Sequence, residues 1–262
     1  MVTLAPVSAV ATATSAPKRA ALGFFAGVRA LFGGIGFIMT KPSVWGWAMI
    51  PVVVATVLFG GTAGLAIWGG NHLSEAIAHG DTTLSAIGMW TLRVLFWIIG
   101  LVVGFVIAFS LAQPISGFAL EAIVRRQEQS LGGRKWPDQP FFHGMVRSLR
   151  VSLTALLIGL PILGVLALIT FLAPPAGVVT IPLKFIVTGL LAAYDFLDYP
   201  FSVRGIGVRE RLTFMKQEIW AVLGFGLSIA AILTIPGVGL FLLPLGVAGA
   251  TRMVVERDKK IR

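Results

Sequence analysis

Apolar residues in this chain fall into long unbroken blocks parted by short basic stretches, and block length is the first guide to the elements. Residues 44–68 make a run long enough for a helix of about 37 Å, which crosses a hydrocarbon layer of about 30 Å with some tilt. Trp45, Trp47 and Trp68 stand near its two ends, where indole rings settle at a membrane interface. Residues 90–111 form a second such run. Between them, 71–83 carries His72, Glu75, His79 and Asp81 but no Lys or Arg. Upstream, residues 21–39 are apolar but glycine-rich and contain Arg29, which suits a helix lying in or dipping into the interface, with Arg29 reaching toward headgroups.

Two further apolar pairs follow. Residues 151–172 and 176–193 are parted by Ala173-Pro174-Pro175, and 219–235 and 238–250 by Pro236-Gly237, so each pair reads as a helical hairpin with an uncharged tip. The legs of the second would be only about 25 and 20 Å long, and Pro244 weakens the last, so that hairpin is expected to penetrate partway. A helix end inside the bilayer leaves carbonyls unpaired, which calls for a polar interior or for cover by another copy. Between the long spans and the hairpins, ISGFALEAIVRRQEQSLG reads as an amphipathic helix ended by Gly132-Gly133. The predicted architecture is an all-α integral membrane protein: two long transmembrane helices plus two proline-broken, hemi-penetrating helical hairpins. Residues 1–20 are expected as a disordered tail, 21–255 as the membrane domain and 256–262 as a basic C-terminal tail.

Composition supports this class and adds a direction. Hydrophobic residues make up 56% of the chain and charged ones 12%, with a mean hydropathy of +0.91, whereas a soluble domain devotes about a quarter of its residues to charge. All but two of the 21 lysines and arginines, Arg93 and Lys184 being the exceptions, fall in segments on one implied side, which puts both termini in the cytoplasm and 71–83 outside. The net charge of +10 then suits the anionic inner leaflet. It does not suit nucleic acid, because the cations edge apolar segments and form no stripe with stacking aromatics. The absence of cysteine excludes disulfides and thiolate metal sites.

Candidate chemistry is sparse. No GxSxG, Walker loop or HExxH pattern occurs, so neither an enzyme nor a cofactor is expected, and the loop at 71–83 reads as a polar connection without metal. Lys184 lies within TIPLKFIVTGLLAA, where a charge costs roughly 3 kcal/mol or more unless it meets a counterion, water or solute. It is either part of an anion pathway or one half of a structural ion pair. Asp195 and Asp198 are candidate partners for it or for the arginines that follow, and are expected at the cytoplasmic end. Arg29, two residues after Gly27, is a candidate anion ligand because glycine permits close backbone approach and arginine offers a fork of donors. Its other reading is that of a plain basic interfacial helix. The basic face and partly inserted hairpins equally allow a non-transporting membrane scaffold or lipid-interaction protein.

The segments FFAGVRAL with KPSVWGWAMIPVVV, LAQPISGFALEAIVRR, YDFLDYPF and IPGVGLFLLPLGVAGAT, in that order from residue 24 to 255, carry a resemblance. Together the chain resembles the membrane family of the sulfate transporter CysZ and etoposide-induced protein 2.4. The resemblance implies a bacterial inner-membrane protein that assembles as a homo-oligomer and passes sulfate or another small oxyanion inward. It also implies a sulfate site at Gly27-Val28-Arg29, matching a Gly-Leu-Arg motif with valine in place of leucine. Asp198-Tyr199-Pro200-Phe201 would fix the return from the first hairpin, with Asp198 and Tyr199 available for gating.

Overall fold

The computed structural model describes residues 21–77, 83–137, 141–235 and 238–261. The expected tail at 1–20, His79 and Asp81 and the Pro236-Gly237 break lie outside them. Among the described residues every regular element is helical: α1 (Phe24–Thr40), α2 (Pro42–Ile77), α3 (Thr83–Ile115), α4 (Gly117–Ser130), α5 (Phe141–Leu172), a 3-10 turn at Pro174–Ala176, α6 (Gly177–Val203), α7 (Val208–Gln217), α8 (Ile219–Leu233) and α9 (Gly239–Ile261). The protein is an all-α, multi-pass membrane protein.

The long helices overrun the apolar blocks that announce them. α2 has 36 residues, α3 has 33, and α5 starts at Phe141 rather than at 151. Hydropathy marks where lipid touches the chain, whereas backbone hydrogen bonds continue a helix through polar flanks until something stops it. The stops are local: Gly132 and Gly205 take the left-handed φ of 69° and 70° that follows α4 and α6, and each turn closes as a Schellman motif. After α6, the Ile206 amide donates to the Phe201 carbonyl at 2.9 Å and the Gly205 amide to that of Ser202 at 3.0 Å.

The last leg is longer as a helix than as an apolar block: α9 runs for 23 residues, about 34 Å. Residues 256–261, read as a basic tail, form its final turns. α6 continues through Asp195 and Asp198 to Val203.

Among the described residues, three helical segments are long and apolar enough to cross a membrane: Pro42–Ile77, Ala86–Ile115 and Pro174–Val203. The α7–α8 pair, bent by 94°, adds a fourth if taken as one span. Only 11%, 12% and 22% of the most apolar windows of the three is buried, so their cover has to come from lipid or from other copies.

Packing divides the helices into two parts. α2 and α3 pair with each other along their length, with Gly100 against Ala66 and Gly104 against Thr62. α1, α6, α8 and α9 form the other part, joined where glycines let backbones meet: Gly27 of α1 faces the Ala221 carbonyl of α8, Gly34 faces Gly249 of α9, and Gly189 of α6 lies against Gly226 of α8. A Cβ on Gly189 would come to 3.0 Å from the Gly226 carbonyl. α4 ties the parts together at one end, where Phe118 meets the Trp47 ring edge-on at 6.5 Å and Arg126 sits 4.9 Å over the same indole.

Candidate functional site

α6 gathers nearly all the polar side chains of its membrane segment on one face. At about 100° per residue, Thr180, Lys184, Thr188, Asp195, Asp198 and Ser202 fall within an arc of about 80°. Leu191, packed by Gly159 of α5, interrupts the row. The opposite face, Gly189 and Ala193, is the one pressed on Gly226 of α8. The stripe is therefore turned away from the tightest helix contact.

The stripe is filled unevenly. Thr180 is buried and its hydroxyl shares a 2.6 Å hydrogen bond with that of Thr170. Lys184 is half-buried and faces no carboxylate among the described residues. Lys184 and Asp195 share the face but stand about 16 Å apart along the axis, so they do not form a pair. One buried carboxylate oxygen of Asp195 and the buried hydroxyl of Tyr194 have no hydrogen-bond partner among the described residues. Asp198 is buried and ion-paired with Arg211 of α7, and Ser202 donates to the same carboxylate oxygen at 3.2 Å. Tyr199 belongs to the hydrophobic core beside them.

Below the stripe, buried charges knit the helix ends. Arg204, at the end of α6, donates to Glu128 of α4 at 2.8 Å and to Asp258 of α9 at 2.7 Å, with its guanidinium 5.5 Å over the Trp136 ring. At the α7–α8 corner, Glu218 is fully buried; it accepts the Leu22 amide at 2.5 Å and lies 2.6 Å from Arg257 Nε. Sequence reading missed Glu128, Arg204, Glu218 and Arg257 because each stands in a stretch rich in exposed-looking charge. The α6 stripe, by contrast, was available as a three-to-four spacing of hydroxyl and charged residues.

The motif at the chain's start divides in two. Gly27 is spent on contact with α8, so the backbone there is closed to a ligand from that side. Val28 is half-buried and Arg29 is exposed, with Nε donating to the Phe25 carbonyl at 3.3 Å and no acid paired with it among the described residues. α1 and α6 each pack against α8. At the far end of the α2–α3 pair, Arg93 reaches Glu75 at 3.0 Å and Ser74 at 3.2 Å, which accounts for one of the two cations outside the basic segments.

Comparison with known proteins places the chain in a family. Residues 30–244 match the family model described as Sulfate transporter CysZ/Etoposide-induced protein 2.4, a match that begins just after Arg29 and includes the whole of α6. A Pseudomonas fluorescens protein named sulfate transporter CysZ is 26% identical over 226 residues, covering 82% of this chain and 87% of its own. A protein of that name from Vibrio cholerae is 28% identical over 238 residues, 86% of this chain and 91% of its own, and one from Pseudomonas syringae is 29% identical over 226 residues, 82% and 86%. With the family model spanning most of the helical bundle, the chain belongs to the Sulfate transporter CysZ/Etoposide-induced protein 2.4 family.

Proposed function

We propose that this protein carries sulfate or a related small oxyanion through the bacterial inner membrane, as a homo-oligomer with both termini in the cytoplasm. The observation that carries the reading is the polar stripe on α6, a helix long enough to cross. Relatives named for sulfate transport support the choice of solute.

A tetrahedral dianion leaving water needs cations and hydroxyl or amide donors in its place. Lys184, with no carboxylate beside it among the described residues, presents its ammonium to the solute, and Thr188 offers a hydroxyl one turn further along. Arg211 cancels the charge of Asp198, so that acid does not repel an anion at the end of the row. Asp195 keeps an unmatched oxygen and with Tyr199 forms the gate of this scheme. Gly27-Val28-Arg29 is the first capture point, acting through the Arg29 guanidinium, and anionic phospholipids surround the basic end.

The test is uptake of labelled sulfate by the full chain in sealed proteoliposomes. Lys184→Ala is expected to lower the initial rate at least tenfold, a loss of about 1.4 kcal/mol of barrier stabilisation. Lys216→Ala, an exposed cation on α7, should leave the rate unchanged. Arg29→Ala should raise the half-saturating concentration. If the wild-type chain gave no flux of sulfate, sulfite, thiosulfate or molybdate, this solute class would be rejected.

A further inference from the structure

The turn that ends α4 builds a basic pocket outside the α6 stripe. Gly132, in the left-handed region, and the 2.8 Å hydrogen bond from the Gly133 amide to the Glu128 carbonyl fold the chain back along its own helix. Arg125 then donates to the carbonyls of Trp136 at 2.6 Å and Pro137 at 3.2 Å, and Trp136 Nε1 donates to Glu128 at 2.8 Å. The pinned loop and α4 enclose a cavity of about 190 Å³ lined by Arg125, Gln129, Arg134, Lys135 and Trp136.

Its outer cations are placed differently from the buried arginines of this end. Arg204, Arg211 and Arg257 are each set against a carboxylate, whereas Arg134 and Lys135 stand at the mouth of this cavity beside the clamped Arg125. Arg134 and Lys135 are exposed and ion-pair with nothing among the described residues. Like charges held together repel one another, and a bound anion turns that repulsion into attraction. The site's shape is fixed in advance, because two backbone carbonyls hold the Arg125 guanidinium and the loop it clamps.

We propose that this pocket binds a tetrahedral oxyanion, either a free sulfate or phosphate ion or the phosphate of an acidic lipid headgroup. Both sources have access. Phe118, Ala122, Arg125 and Gln129 share one face of α4, which leads from exposed Phe118, beside the last turn of α3, to the pocket. Occupancy also stiffens the loop through Trp136, whose partner Glu128 is held by Arg204 at the end of α6. The site is independent of the transport reading.

The test is equilibrium binding of labelled sulfate and phosphate to the full-length chain in detergent, on an Arg29→Ala background that removes the capture point proposed above. Binding of at least one anion is expected to persist in R29A, to weaken at least tenfold when R134A and K135A are added, and to survive R134K with K135R. Adding Lys184→Ala to that background removes the other solute contact proposed for transport and isolates the binding that remains, and Lys216→Ala, an exposed cation on α7, should leave that binding unchanged. In the lipid arm, the same variants go into nanodiscs of phosphatidylcholine with or without phosphatidylglycerol, and retained lipid is counted by native mass spectrometry. Selective retention of phosphatidylglycerol, lost with R134A/K135A, identifies the headgroup as occupant; free-anion binding without that selectivity identifies a soluble ion. Should the alanine pair elute as aggregate, R134Q alone decides, with an expected loss of at least threefold. Binding indifferent to these substitutions, or no binding of either anion or of the lipid, overturns the proposal.

Discussion

Asp198 and Arg211 are each almost fully enclosed, and neither has water to fall back on if the other is removed. Breaking a buried pair from one side strands a charge and costs about 3–5 kcal/mol, whereas replacing both partners by apolar groups of similar volume is often close to neutral. Arg211→Met is therefore expected to lower the melting temperature in detergent sharply, and Asp198→Leu added to it to recover much of the loss. A double-substitution cycle on thermal melts measures the coupling; additive losses would mean that the two side chains do not act as a pair. Sequence reading reached Asp198 and offered the arginines after it as partners, but the spacing gave no means of choosing among Arg204, Arg209 and Arg211. That choice depends on the Gly205 turn, which swings α7 back under α6. Lys184 was legible as a charge inside an apolar block, whereas Glu218 was not, because nothing local distinguishes a buried acid at a helix corner from an exposed one.

At the scale of elements, the glycines separate into contacts and bystanders. Gly189 and Gly226 allow α6 and α8 to touch backbone to backbone, while Gly60 and Gly64 of α2 have nothing within 4 Å of where a Cβ would stand. Gly226→Val is expected to drive α6 from α8, costing several kcal/mol as overpacked cores do, and to appear as loss of monodisperse protein on size exclusion. Gly60→Ala should elute and melt like the parent, or slightly higher, since alanine favours helix by about 1 kcal/mol. Similar behaviour of the two variants would refute this division. The helices themselves were visible in the sequence, with breaks found correctly at Gly132-Gly133 and Ala173-Pro174-Pro175. Their lengths were not, because hydropathy falls away where α2, α5, α6 and α9 leave lipid, while their backbone hydrogen bonds continue.

For the whole molecule, the orientation proposed from the basic segments makes a prediction about the first hairpin. The segment Pro174–Val203 is long enough to cross, and Pro174 at its tip is exposed. A single cysteine at Pro174, on a chain without any other, should react with a membrane-impermeant maleimide applied to the outside of intact cells, as should Glu75→Cys at the far end of α2. Cysteine at Lys216 should react only after the membrane is opened. Labelling of Lys216→Cys from outside would invert the topology.

The α2–α3 pair enters the shared core through Val44 and Ala48, with Trp47 packed on it, all in the first turns of α2. Beyond them, two helices of about 54 and 50 Å have chiefly each other for neighbours. A mast stepped at its foot leans as its surroundings dictate: a thin bilayer lays the pair over, a thick one stands it upright, and the pivot lies in those first turns. Membrane thickness thus becomes an input to the shape of this protein, received at the same end of the molecule where α4 and its ion pairs gather the other helices.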